Sequence, residues 1–388
     1  MAVHPTPEPP ATLVAPPGLK GVVVADTALG DVRGREGFYH YRQYAAPELA
    51  RTRTFEDVWH LFAEGRLPNR AERDAFTRRT AALRALPEAL IDLVPAIARS
   101  NAVPLAALRT ALSQLAALED TAPVYDADAA MVHADALRLC AAVPVLVAAL
   151  HRAAAGKAPI APRADLATAA NYLYMIDGAE PDPEVARALE QYLILTIDHG
   201  FNASTFTARV VASTGADIGS AVVAALGALS GPLHGGAPSR ALDTLDEIGT
   251  PDRTEEWVRN AVGEGRRIMG FGHAVYRTAD PRSVLLREIA ESLGGPRVAF
   301  AGQVETTVEK VLAEMKPGRE LHTNVEYWAG VVMEQCGLPR SLFTPTFAAS
   351  RVIGWCAQVI EQTEQSAIIR PSARYVGPPA PEPVPDAA

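Results

Sequence analysis

The sequence is poor in cysteine, in basic charge and in unbroken apolar runs, and each shortage removes a class of protein. Three cysteines, Cys140, Cys336 and Cys356, in 388 residues are an odd number without metal-ligand spacing. They argue against a disulfide framework and against a bound metal, and for buried, reduced thiols in a cytoplasmic protein. No uncharged apolar run reaches the ~20 residues of a membrane span. The longest, Ile218 to Leu233, is broken by Gly, Ser and Pro. The N-terminus lacks a basic start followed by an apolar stretch, so no signal peptide is expected. Lys and Arg number 36 against 45 Asp and Glu, a formal charge of −9. That balance argues against a general nucleic-acid binder but leaves room for a basic pocket facing an anionic ligand.

Apolar residues make up 48% of the chain, enough for more than one core, and the length predicts two domains. Both ends are Pro-rich, over 1–17 and 378–388, with too few large apolar groups to order themselves. Between them the apolar period is helical. Thr54 predicts a cap for a helix carrying Phe55, Val58, Leu61 and Phe62 on one face, ended by Gly65. Asp182 and Pro183 open another, with Val185, Leu189, Leu193 and Ile197 inward and Gly200 closing it. Further helices are expected from Ala203, Ile218, Thr254, Ser283 and Val304, and from Phe343 to Glu361. Strands are expected only at Gly21 to Ala25 and Gly37 to Tyr41, so the fold class is all-α.

Two dense glycine stretches, Gly231 to Ala237 and Gly270 to His273, fall between helical segments, and each carries one histidine. They read either as loops whose backbone closely approaches a ligand or as ordinary turns between helices. Of nine histidines, His199, His234 and His273 stand at helix ends, where unpaired backbone groups can fix tautomer and pKa. His40, His60, His133 and His151 lack polar company in the sequence, and His322 lies near Glu326 at helical spacing. Glu326, followed by Tyr327 and Trp328, is either a general base whose pKa burial raises or an acid favoured at a helix N-terminus. Arg282, Arg351 and Arg370 sit in apolar company, as partners of buried carboxylates or as binders of a polycarboxylate.

Six segments decide between these alternatives: DHGFNASTFTARVVASTGAD, SGPLHGGAPSRAL, IMGFGHAVYRTADPRS, NVEYWAGVVMEQCGLP, FTPTFAASRVIGW and RPSARYVGP. In this order they resemble the signature segments of the citrate synthase family. GLKGVVVADTALGDV, FEDVWHLFAEGRLP and LRTALSQL are similar to its N-terminal half, so the likeness spans about 18–377. The resemblance implies a two-domain helical fold, with a large domain over 18–233 and 332–377, a small one over 234–331, and the site in the cleft between them. It implies condensation of acetyl-CoA with oxaloacetate, acetyl-CoA being a co-substrate rather than a resident cofactor. Catalytic roles fall on His234, His273 and Glu326, and oxaloacetate binding on His199, Arg282, Arg351 and Arg370. CoA binding falls on Met269, Gly270, Phe271, Gly272, Lys316 and Arg319. The family match begins near Gly18, without the extra N-terminal domain of hexameric relatives; this implies a homodimer, with Arg370 crossing to the partner's site.

The chain departs from the family pattern in places. Glu326 stands where Asp is usual, as in a group of actinobacterial second citrate synthases that it resembles. Ala274 follows the histidine where many bacterial members have Arg. YRQYAAPELA replaces a typical YRGYDIEEL, and NAVPL stands where an HPM triplet is common. Two rivals share these residues: a 2-methylcitrate synthase using propionyl-CoA, and a non-catalytic binding protein of the same fold.

Overall fold

The computed structural model describes residues 13–100, 103–232, 234–235, 238–273, 275–365 and 367–384. The expected tails over 1–12 and 385–388, Asn101 of the NAVPL segment and Ala274 lie outside the described residues. An antiparallel sheet of β1 (Gly30–Arg33), β2 (Phe38–Tyr41) and β3 (Tyr44–Ala45) opens the structure. The helices that follow are α1 (Ala46–Thr52), α2 (Phe55–Glu64), α3 (Arg70–Ala82), α4 (Glu88–Ser100), α5 (Pro104–Leu118), α6 (Ala129–Ala154) and α7 (Thr168–Asp177). Next come α8 (Pro183–Thr196), α9 (Ala203–Ala212) and α10 (Ile218–Leu229). The last six are α11 (Pro238–Ile248), α12 (Thr254–Gly263), α13 (Pro281–Leu293), α14 (Pro296–Met315), α15 (Val325–Gln335) and α16 (Phe343–Thr363). The fold is all-α apart from that small sheet.

The caps read from the sequence form as expected. Thr54 Oγ1 accepts from the Asp57 amide at 3.2 Å and Asp57 accepts from the Thr54 amide at 3.2 Å, while Gly65 at φ +80° ends α2. Asp182 accepts from the Glu184 amide at 2.7 Å and starts α8. Other boundaries move. α8 stops at Thr196 rather than at Gly200, because the Thr196 carbonyl accepts at 2.8 Å from Arg351 Nε on α16 instead of continuing the helix. That early stop leaves His199 on irregular chain. α13 starts at Pro281, capped by Asp280, and α14 at Pro296, both earlier than expected. Gly21 to Ala25 forms no strand; its valines are exposed and β1, further on, pairs with β2 instead.

α6 and α16 form the centre of the core. α16 buries Val352, Trp355 and Val359 completely, and α6 buries Ala142 and Leu146 as fully. α6 is also long and apolar enough to cross a membrane, with a mean hydropathy of 1.6 over its most apolar window, and so exceeds the Ile218 to Leu233 run. Two-thirds of that window, 67%, is covered by other helices. Its apolarity is that of a helix packed by neighbours on most sides. Gly354 makes this packing possible next to the site, since a Cβ there would lie 2.2 Å from the Ile197 carbonyl oxygen. α16 therefore approaches the end of α8 backbone to backbone.

Candidate active site

A cleft of 820 Å³ opens where the segment after α8, the loop before α11, the glycine loop before α13 and the start of α15 converge. His199, His234, His273, Glu326 and Arg351 line it together, although they are separated by up to about 150 residues in sequence. Local backbone chemistry sets the state of each imidazole. The Ser204 amide approaches His234 Nε2 at 3.3 Å, and a backbone amide can only donate. Nε2 is thus the acceptor and the neutral ring carries its proton on Nδ1. Burial, with Arg351 nearby, pulls the His234 pKa down to about 4, so the ring stays uncharged near neutral pH.

His273 is the reverse tautomer. Its Nδ1 accepts from the amides of Val275 at 2.9 Å and Tyr276 at 3.2 Å, which leaves the proton on Nε2. That Nε2 lies 3.3 Å from Arg282 Nη2, so two donors sit side by side and share a need for one acceptor oxygen. Burial and the Arg282 charge hold the His273 pKa at about 4. His199 Nε2 lies 2.9 Å from the Tyr276 hydroxyl, and burial followed by Arg282 and Arg351 lowers its pKa strongly.

Glu326 sits in the first turn of α15 behind the Asn324 cap, whose Oδ1 accepts from the Glu326 amide at 3.0 Å. Glu326 does not supply the cap. Its carboxyl is mostly buried, and desolvation pushes its pKa up to about 7 against the pull of Arg282. The aromatics that follow anchor the helix: the Tyr327 hydroxyl donates to Ala301 O at 2.8 Å and Trp328 Nε1 to Glu305 at 2.9 Å.

Arg282 is buried and forked onto Asp280, with Nε to Oδ1 at 3.0 Å and Nη2 to Oδ2 at 2.7 Å. Arg282 is thus a structural ion pair that does not itself line the cleft and meets it only through the His273 ring. Arg351 stacks on Phe347, 4.5 Å from the ring centroid, and is held by one bond through Nε, which leaves its fork facing the cleft. The CoA candidates Met269, Gly270, Phe271, Gly272, Lys316 and Arg319 all line the same cleft. Gly270 is held at φ +85°, and a side chain there would strike Tyr327. Arg370 is different: it is exposed, on irregular chain after α16, and does not line the cleft.

Four of the remaining histidines lie beside groups that the sequence did not reveal. His40 and His60 bond through Nδ1 to the carbonyls of Arg42 and Arg66, the second at 2.9 Å. His133 lies 3.5 Å from Glu64. His322 precedes α15 rather than sharing a face with Glu326, and it pairs with Glu309 at 3.1 Å. Sequence reasoning also missed Ser204, Tyr276 and Asp280. Asp280 caps α13, forks onto Arg282 and accepts from the Val325 amide at 3.1 Å, so one carboxylate joins the arginine to the start of α15. Its place in the cap pattern Asp280-Pro281 was the available signal.

Two neutral imidazoles of opposite tautomer, a carboxyl with a pKa near neutrality and two buried guanidiniums suit proton transfer on a carbonyl compound that carries carboxylates. Similarity to known proteins narrows that class. The family model described as "Citrate synthase, C-terminal domain" matches residues 18–372. The citrate synthase of Deinococcus radiodurans is 38% identical over 361 residues, covering 93% of this chain and 95% of its own. The 2-methylcitrate synthase of Mycobacterium tuberculosis is 40% identical over 361 residues, covering 93% and 90%. A Thermoplasma acidophilum citrate synthase, solved in ternary complex with carboxymethyl coenzyme A and oxaloacetate, superposes with a TM-score of 0.86 at 30% identity, covering 94% and 97%. The chain belongs to the citrate synthase family and is an enzyme of that acyltransferase type.

Proposed function

We propose that the chain condenses acetyl-CoA with oxaloacetate and hydrolyses the product to citrate and CoA, using Glu326, His234 and His273. The observation that carries this reading is the pairing of Glu326, a carboxyl poised near pH 7, with His234, a neutral donor through Nδ1, in one cleft. A thioester methyl proton is weakly acidic, so its removal needs a matched base and a donor already aimed at the developing enolate oxygen. Glu326 takes the methyl proton, and His234 Nδ1–H stabilises the enolate. The methyl carbon then bonds the keto carbon of oxaloacetate, whose oxygen takes a proton from His273 Nε2. Arg351, Arg282 and His199 hold the two carboxylates, Arg351 by its open planar fork and Arg282 by the N–H groups that its pairing with Asp280 leaves free. The loop from Met269 to Gly272, with Lys316 and Arg319, receives CoA, the two cations facing its phosphates.

The same residues would serve propionyl-CoA, and the Mycobacterium tuberculosis relative keeps that second reading in view. The site takes its last cation from a homodimer: Arg370 of the partner subunit, on the exposed C-terminal segment, completes the oxaloacetate pocket. Replacement of the base tests the chemistry. Glu326→Gln keeps the shape but cannot accept a proton, so turnover should fall by roughly three orders of magnitude or more while oxaloacetate affinity, measured by calorimetry, changes little. A variant retaining more than about a tenth of wild-type turnover would remove Glu326 from the role of base.

A further inference from the structure

Behind the three reacting groups lies a second cavity of 110 Å³. His234, His273 and Glu326 form walls common to it and to the main cleft, while Tyr192, Val325, Ala329 and Phe347 close its far side. Tyr192, on α8, is completely buried, and its hydroxyl has no hydrogen-bond partner among the described residues. Buried hydroxyls are nearly always paired, and an unpaired one beside a cavity points to a small polar occupant. The volume suits about three waters at about 30 Å³ each, and the imidazoles, the carboxyl and the phenol supply the two or more polar partners that a held water needs. Arg351 and Glu326 both act on the Tyr192 hydroxyl, so it lies within the field of the reacting centre.

From this geometry we infer that the cavity holds the water that hydrolyses the citryl-CoA thioester, and that the Tyr192 hydroxyl positions that water. The inference rests on the condensation reading. The reaction makes conflicting demands on water: it must be kept from the enolate and then delivered to the thioester once the new carbon–carbon bond exists. A reservoir behind the catalytic groups, away from the CoA-facing cleft, meets both demands. In the step itself the water oxygen bonds the thioester carbonyl carbon, and the carbon–sulfur bond breaks with its electron pair on sulfur. One water proton passes to sulfur to give the CoA thiol, and the other leaves from the new carboxyl group. Burial raises the Tyr192 pKa well above its ordinary value, so the phenol stays protonated and holds the water without acting as its base. The rival occupant, the extra methyl group of a propionyl chain, would suit Val325, Ala329 and Phe347 but leave the hydroxyl unpartnered.

The test supplies citryl-CoA to the full-length enzyme and measures how it divides between hydrolysis to citrate and cleavage back to acetyl-CoA and oxaloacetate. Tyr192→Phe should lower hydrolysis relative to cleavage by about tenfold or more, with a thermal midpoint unchanged or raised, because an unpartnered hydroxyl has been removed. Ala329→Val, which narrows the cavity, should shift the division in the same direction. An unchanged division in both variants, or an equal fall in both branches, would overturn the water site. Loss of propionyl-CoA use alone in Ala329→Val would assign the cavity to the acyl chain instead. A wild-type enzyme that releases no CoA from acetyl-CoA and oxaloacetate would remove the condensation reading and this inference with it, whereas an active wild type with an unchanged division removes only the inference.

Discussion

Glu326 holds its proton far more tightly in the folded chain than a free carboxyl does, at a pKa of about 7 against an ordinary 4.5, because it is desolvated at the start of α15. The sign of the consequence follows from linkage. Between those values the native state keeps a proton that the unfolded chain has released, so stability falls as pH rises and levels off above about 7. At 1.36 kcal/mol for each pKa unit the effect is on the order of 3 kcal/mol. The stability of the wild type minus that of Glu326→Gln, measured by urea unfolding, should fall as pH rises from about 5 to about 8. The lowered pKa values of His234 and His273, whose effect has the opposite sign, are common to both proteins and cancel in the difference. Parallel profiles for the two proteins would mean that Glu326 is not desolvated. The residue was visible in the sequence because an acid followed by two aromatics is unusual on a solvated face. Ser204 and Tyr192 were not visible, since a serine on a helix and a tyrosine on an apolar face give no sign of what they meet after folding. Ser204 fixes the His234 tautomer from 30 positions away.

Elements whose ends depend on neighbouring residues could be read in advance, and those whose ends depend on distant ones could not. The caps at Thr54 and Asp182 each bond within three residues, so sequence alone specifies them. The end of α8 depends on Arg351, 155 positions away, and no local signal marks it. Proline as a helix breaker misleads too: Pro95 and Pro144 lie inside α4 and α6. The C-terminal segment after α16 carries the remaining cation of the proposed pocket, with the Arg370 side chain exposed. If Arg370 of the partner subunit completes the site, then Arg370→Ala and His273→Ala proteins, each inactive alone, should regain activity after subunit exchange. One of the two sites in the hybrid would hold both native groups. Exchange demonstrated by mass spectrometry without any regained activity would confine Arg370 to its own subunit.

At the scale of the whole molecule, the helical class was legible because the 3.6-residue apolar period survives through most of the chain. The site was legible only as separate pieces, a histidine here and a glycine loop there, because their meeting depends on long-range packing such as the contact of Gly354 with the end of α8. Family resemblance supplied the assembly that spacing could not, and the cleft then brings His199, His234, His273, Glu326 and Arg351 together. If Glu326, His234, His273 and Arg351, which share that one cleft, act as proposed, neither substrate reacts without the other. The most direct measurement is free CoA thiol released by purified protein from acetyl-CoA, with and without oxaloacetate. Release that appears only when oxaloacetate is present, with citrate formed in equal amount, is the predicted result. No release above the blank at millimolar substrates, or release indifferent to oxaloacetate, would contradict the account.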